Sequence, residues 1–300
     1  MAFEVRENPR RKGSKLRTIA CISDENGFKV ASVIIAGEKK CAVVDAQWTM
    51  SYGYRVLAEV LDRGLELETI YVTHAHPDHY FGTEALLKHF PDAKVIALPD
   101  VCKTLQGQFT AKKDEWVDQI GELNVPKYDS PATPMSAPEY QIDGKNFHFF
   151  VEGEEIVCWG EVMGDLRYNT VVTIPSLSTL IGSDMLFNQA HPFTCEVTAD
   201  ERKQWIADME KFKAMGFETV IPGHAKHGLP FDDSSYDFTI AYVKATDELL
   251  AKCKTSFEFY YNMRQLFKEA ELWKSDEMNA RVLYNEREWD WRDDDATNGH

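Results

Sequence analysis

An α/β fold with a helical C-terminal appendix is what this sequence predicts, on three observations. Short runs rich in Val, Ile and Phe alternate with helical patterns as far as Ile221, and from about Tyr236 the pattern turns helical almost throughout. The composition, 44% hydrophobic and 12% aromatic, is enough for a sizeable buried core and argues against disorder. No internal repeat or long low-complexity linker divides the 300 residues.

The predicted strands cover residues 31–36, 41–45, 69–73, 94–97, 147–151, 170–174, 179–182 and 219–221. Residues 54–63 read as a helix with Val56, Val60 and Leu61 on one side, stopped before Gly64. Residues 82–90 read as a short helix ended by Pro91. A third helix, 200–215, sets Trp205, Met209 and Phe212 at helical spacing before Gly216. The stretch 127–138, KYDSPATPMSAP, together with Pro126 is proline-rich enough to mark an extended loop. It lies within residues 98–141, a candidate lid carrying Phe109 and Trp116. The last ten residues, WRDDDATNGH, are expected to fray.

A net charge of −16, from 33 basic and 49 acidic residues, argues against a nucleic-acid partner, because such affinity rests on Lys and Arg neutralising phosphates. The six cysteines are scattered without a CxxC pair, fitting neither a zinc finger nor a disulfide framework. They read as buried small hydrophobes. The N-terminus, MAFEVRENPRRKG, has no apolar core of a signal peptide, and no apolar run approaches membrane-spanning length. A cytoplasmic location without membrane contact is expected.

The chemistry concentrates in residues 71–82, YVTHAHPDHYFG. Three of the chain's 9 histidines and one aspartate fall within six positions there. The strand predicted at 69–73 ends just before His74, so His74, His76, Asp78 and His79 occupy a strand-to-helix loop where side chains can converge. Imidazole and carboxylate are ordinary zinc ligands. Four so closely spaced cannot all reach one tetrahedral centre, so His74 and His76 point to one ion, and Asp78 and His79 to a second beside it. A solvated loop would explain one histidine, not this foursome.

These residues resemble the H-x-H-x-D-H signature of the metallo-β-lactamase-fold superfamily. CAVVDA, ending near Asp45, resembles the family's first motif; LIGSDMLF resembles the strand supplying a bridging aspartate, here Asp184. VIPGHAKHG resembles the last motif, with His224. The matches run in order from Ala31 to Gly228. The resemblance implies an αββα sandwich, a metallohydrolase domain expected over residues 1–235; residues 236–300 lie outside it and are expected to form a helical extension packed on that domain. It also implies two divalent ions, expected to be Zn²⁺. His74, His76 and Asp165 would hold one, and Asp78, His79 and His224 the other, with Asp184 shared.

Asp165 departs from the pattern. It stands in MGDLRYNTVVTIP where most members of the family carry a histidine. Either it replaces that histidine as an oxygen ligand, the favoured reading, or the first site is weakened. As a ligand it would bring the centre closer to neutrality, with Asp78, Asp165, Asp184 and one hydroxide balancing two divalent ions.

The implied activity is hydrolysis of a small cyclic amide or ester, a lactam or lactone, by metal-bound hydroxide, with Asp78 orienting the nucleophile and passing a proton to the leaving group. Tyr80, Trp48 and His191 are candidate substrate contacts, although His191 equally fits a loop-structuring role. A thioester hydrolase of glyoxalase II type is the alternative within hydrolysis. Outside it, His74, His76 and Asp165 match the two-histidine, one-carboxylate set of mononuclear iron oxygenases. The expected partner is a small-molecule substrate; a homodimer stays open.

Overall fold

In the computed structural model, which describes residues 3–128, 132–136 and 139–289, two β-sheets pack face to face with helices on their outer sides. The first sheet joins β1 (Glu4–Asn8), β2 (Arg17–Ile22), β3 (Ala31–Ala36), β4 (Lys40–Val44), β5 (Glu66–Tyr71), β6 (Lys94–Ala97) and β7 (Thr133–Pro134) in sequence order. It is antiparallel from β1 to β4 and parallel from β4 to β7. The second sheet contains β8 (Gln141–Asp143), β9 (Asn146–Val151), β10 (Glu154–Val162), β11 (Asn169–Ile174), β12 (Thr179–Asn188) and β13 (Thr219–Ala225). There β13 lies outside β12, in parallel with it.

Strands covered on both faces read as unbroken apolar runs rather than alternating ones. Thus every residue of β3, β11 and β12 is buried. Val33, Ile35 and Val44 of one sheet meet Phe149, Ile156 and Val172 of the other in the central layer. Outside the first sheet, α1 (Met50–Asp62) buries Val56 and Val60 against Ile34 and Val43. Outside the second, α5 (Ala199–Ala214) buries Trp205, Met209 and Phe212, the spacing read from sequence. Its start is fixed by a capping box between Thr198 and Glu201.

Near the C-terminus come α6 (Ser234–Leu250), α7 (Ser256–Leu266) and α8 (Trp273–Leu283). α6 lies on β12, where Thr239 Oγ1 accepts from Phe187 N and donates to Phe187 O. All six cysteines are unbridged thiols, and only Cys253 is not fully buried, which fits small hydrophobes.

The candidate lid is not one irregular segment. After the short helices α2 (Pro77–Tyr80) and α3 (Thr83–Leu87), the chain forms a 22-residue helix, α4 (Pro99–Ile120), with Pro at its first turn. Val101, Leu105 and Phe109 give it a buried stripe at four-residue spacing. Polar Gln108 and Lys112 lie on that same buried side, which blurs the helical pattern in the sequence. The proline-rich loop falls partly on residues 129–131 and 137–138, and the expected frayed tail on 291–300; those residues lie outside the described ones. No described helix is long and apolar enough to cross a membrane.

Candidate metal centre

The site forms where strand ends of both sheets meet. Asp45, just past β4, adopts a left-handed backbone (φ 58°) that aspartate tolerates better than most residues. Its carboxylate accepts from Thr73 N (2.9 Å), Thr73 Oγ1 (2.8 Å) and His79 Nδ1 (2.8 Å). The loop after β5 is thereby fixed before it contributes a ligand. Asp45→Ala should weaken divalent-metal affinity about 10–100-fold, the usual effect of deleting a ligand's hydrogen-bond partner. Chelator competition checks this.

The second sheet supplies the rest. Ser183 lies opposite Pro222 and Phe187 opposite His224, so β12 carries three residues where β13 has only Gly223. This bulge, with Ser183 at φ 43°, turns Asp184 into the site. A side chain at Gly223 would run into the Asp184 carboxylate, so the Pro-Gly-His sequence needs its glycine. Asp165, in the turn before β11, donates its N–H to Asp184 O (3.2 Å).

Two donor groups result: His74, His76, Asp165 and Asp184, and beside them Asp78, His79 and His224. Asp184 lies between them, with Oδ2 3.0 Å from His224 Nε2 and 3.7 Å from His74 Nε2, and Oδ1 3.2 Å from His79 Nε2. All seven residues predicted as ligands are thus brought together.

Hydrogen bonds on the far nitrogens define what each imidazole presents. His74 Nδ1 meets Thr73 Oγ1 (2.9 Å), His79 Nδ1 meets Asp45, and His224 Nδ1 donates to Phe28 O (2.6 Å). Each therefore turns the Nε2 lone pair inward. His76 is reversed: its Nε2 faces Glu196 Oε1 (3.3 Å) and its Nδ1 lies 3.0 Å from Asp165 Oδ2.

The donor set fits divalent cations. His74 Nε2, both Asp165 oxygens and Asp184 Oδ1 are buried without a hydrogen-bond partner. Burial pushes the Asp165 carboxyl up to about 7; His76 opposes this and the Asp184 carboxylate adds to it. Unsatisfied buried oxygens and nitrogen lone pairs directed at one another are costly unless positive charge lies between them.

The cluster opens into a cleft lined in part by His76, Asp78, Asp184 and His224. Trp48 lines it as expected, stacked on Phe28 (3.8 Å) and edge-on to Trp116 of α4 (5.3 Å). Tyr80 does not. It is fully buried beneath the ligand loop against Phe81 and Phe109, because α4 packs over that face.

His191 is also outside the cleft. It is wholly buried, with Nδ1 3.1 Å from Tyr242 Oη of α6 and Nε2 3.3 Å from the Arg264 guanidinium of α7. Its loop-structuring role is therefore the one that fits. Tyr242 donates to Asp276 of α8, so the cluster joins all three C-terminal helices. Burial raises Asp276 to about 7. A carboxyl raised above its unfolded value of about 3.9 loses stability as pH climbs from there to the folded value, after which the loss is constant. Asp276→Asn retains an acceptor for Tyr242. It should match wild type near pH 4 and melt a few degrees higher at pH 8.

Glu196 has no motif around it, and the sequence reading missed it. Its side chain is almost wholly buried, lines the cleft, and also accepts from Trp289 Nε1 (2.6 Å). Burial raises its pKa, but His76, Lys112 and Trp289 together hold it below the ordinary value.

Comparison with known proteins agrees with this geometry. Among solved structures, a metallo-β-lactamase from Pontibacter korlensis aligns at TM-score 0.55 and 17% identity, over 81% of this chain and 99% of that one. The metallo-β-lactamase FIM-1 from Pseudomonas aeruginosa, in its mono-zinc form, aligns at TM-score 0.56 and 15% identity, over 80% and 95%. At such identities the likeness is one of fold. An uncharacterized protein, YobT, of Bacillus subtilis (strain 168) is 27% identical over 139 residues, 46% of this chain and 50% of that protein; the match spans only half the relative's length. Residues 26–224, with both donor groups inside them, match the family described as the metallo-beta-lactamase superfamily, and to that superfamily the chain belongs.

Proposed function

We propose that this protein is a metal-dependent hydrolase that opens a small, uncharged lactone or lactam. The observation that carries the reading is the cleft: members of both donor groups line it, and its walls include Phe28, Trp48 and Trp116. Bound divalent ions would supply Lewis acidity and lower the pKa of water towards ~7. The chain's residues do the remainder. Half-buried Phe28 and Trp116, backed by Trp48, offer apolar surface to a ring, orienting its carbonyl towards the donor groups. Asp78 is the most solvent-accessible of the ligand carboxylates, with Oδ2 3.6 Å from His224 Nε2, and is placed to move a proton towards the leaving group.

Lys112 bears on substrate charge. Its ammonium donates to Ala75 O (2.8 Å) and lies within the field of Glu196. Among the described residues lining the cleft it is the one lysine or arginine, and it is already engaged. That favours an uncharged ring over one carrying a carboxylate.

The test is elemental analysis of the purified protein together with a panel of lactones, lactams, linear esters and thioesters. Turnover confined to thioesters would favour the glyoxalase-type alternative; one iron per chain with oxygen consumption would favour oxidation. Within the panel, Trp116→Ala should raise KM for a ring substrate about tenfold, on the order of the value of one aromatic contact, without changing metal content. Metal loss at unchanged KM would make Trp116 a structural support.

A further inference from the structure

Three of the four histidines of the centre are held by residues on or close to the strand ends of the two sheets. Thr73 and Ser183 hold His74, Asp45 holds His79, and the Phe28 carbonyl holds His224. His76 is different, because its partner Glu196 belongs to the loop before α5. Glu196 is held in turn by Trp289, from the segment after α8. That segment is tied across the cleft to α4, where Arg287 pairs with Glu115 (3.8 Å), and the Arg287 guanidinium lies over the Trp289 ring (5.4 Å). Phe193 sits edge-on to both His76 (5.8 Å) and Trp289 (5.4 Å), closing the same corner.

We propose that Glu196 and Trp289 are positioning residues of the metal centre: the Trp289 indole N–H holds the Glu196 carboxylate, which holds His76 Nε2–H and so aims Nδ1 at the ion shared with His74, Asp165 and Asp184. The inference rests on the metal-site reading, and adds that the site is completed from outside the part of the chain that matches the family. Residues 26–224 contain every ligand and Glu196, but not Trp289. A carboxylate has two oxygens and a flexible stem. The charge of Lys112 attracts it without fixing its direction; a second hydrogen-bond donor beside His76 on the same oxygen, Oε1, does. Partners of this kind set ring orientation and ligand basicity, and their loss typically costs 10–100-fold in metal affinity.

The experiment measures zinc affinity by chelator competition on the full chain, and the visible absorption of the cobalt-loaded protein. Four proteins are compared with wild type: Trp289→Phe, Glu196→Leu, Glu196→Gln and the double variant Trp289→Phe/Glu196→Leu. Trp289→Phe keeps an aromatic ring in the wall and deletes the N–H. It should weaken the ion at His74, His76 and Asp165 by about tenfold or more, leave the ion at Asp78, His79 and His224 unchanged, and alter the cobalt spectrum. Glu196→Leu should do the same, whereas Glu196→Gln, which keeps an acceptor oxygen, should retain most of the affinity. The double variant should be no worse than Glu196→Leu, as expected of two residues in one chain of contacts.

Wild-type affinity for both ions in Trp289→Phe, or additive losses in the double variant, would overturn the proposal. So would a parallel loss of both ions in Trp289→Phe, which would show a general folding role. A wild-type chain that binds no divalent ion would instead refute the metal reading beneath it.

Discussion

Asp184→Asn should abolish turnover, lowering kcat/KM by about 10³-fold or more, equivalent to ~4 kcal/mol of transition-state stabilisation. The Asp184 carboxylate oxygens lie within 4 Å of ligand nitrogens in both donor groups: His74 on one side, His79 and His224 on the other. Asparagine preserves shape and so spares the β12 bulge, but it removes the charge between the two groups. Metal content should fall with activity while the melting profile of the metal-free protein stays close to wild type. Near-normal activity would show that Asp184 is not shared between the groups.

The second large effect concerns Asp165, where this chain departs from its family. Asp165→Ala should lose metal from the His74/His76 group, since both deleted oxygens are among those left without a hydrogen-bond partner. Asp165→His restores a donor and should recover part of the metal content. It also adds one unit of positive charge to the centre, so the pH–rate profile of kcat/KM should move to lower pH. Recovery will be incomplete, because the site is buried and its carboxylate sits between His76, 3.0 Å away, and the charge of Asp184. Full occupancy and normal rates in Asp165→Ala would make Asp165 a turn residue only.

What the sequence disclosed was whatever is local. His74, His76, Asp78 and His79 stand within six positions, so their convergence follows from one loop after one strand. Asp184 and His224 could be found only through resemblance, because nothing within β12 or β13 says which polar residue faces the other sheet. The bulge that aims Asp184 comes from a register shift between strands, and register is invisible along one strand. Glu196 and Trp289 meet across 93 residues of chain without a pattern at either position.

His191 and Tyr80 mislead for the opposite reason. Adjacency to a motif suggested contact with substrate, but packing by α4 and the C-terminal helices buried both side chains on the far side of the backbone. The helix α4 itself went unread because Gln108 and Lys112 occupy its inward face.

The origin of the seven ligands has a thermodynamic consequence. Four come from the loop of the first sheet after β5, and three from the second sheet or the turn leading into it. A cation held by both is a staple across the seam of the sandwich, and the unfolded chain offers no equivalent. By mass action, free metal at a thousand times its dissociation constant would add ~4 kcal/mol to folding stability. Chelation should therefore lower the melting temperature and hasten proteolysis. In a cell, the standing amount of this protein would then follow the supply of free metal.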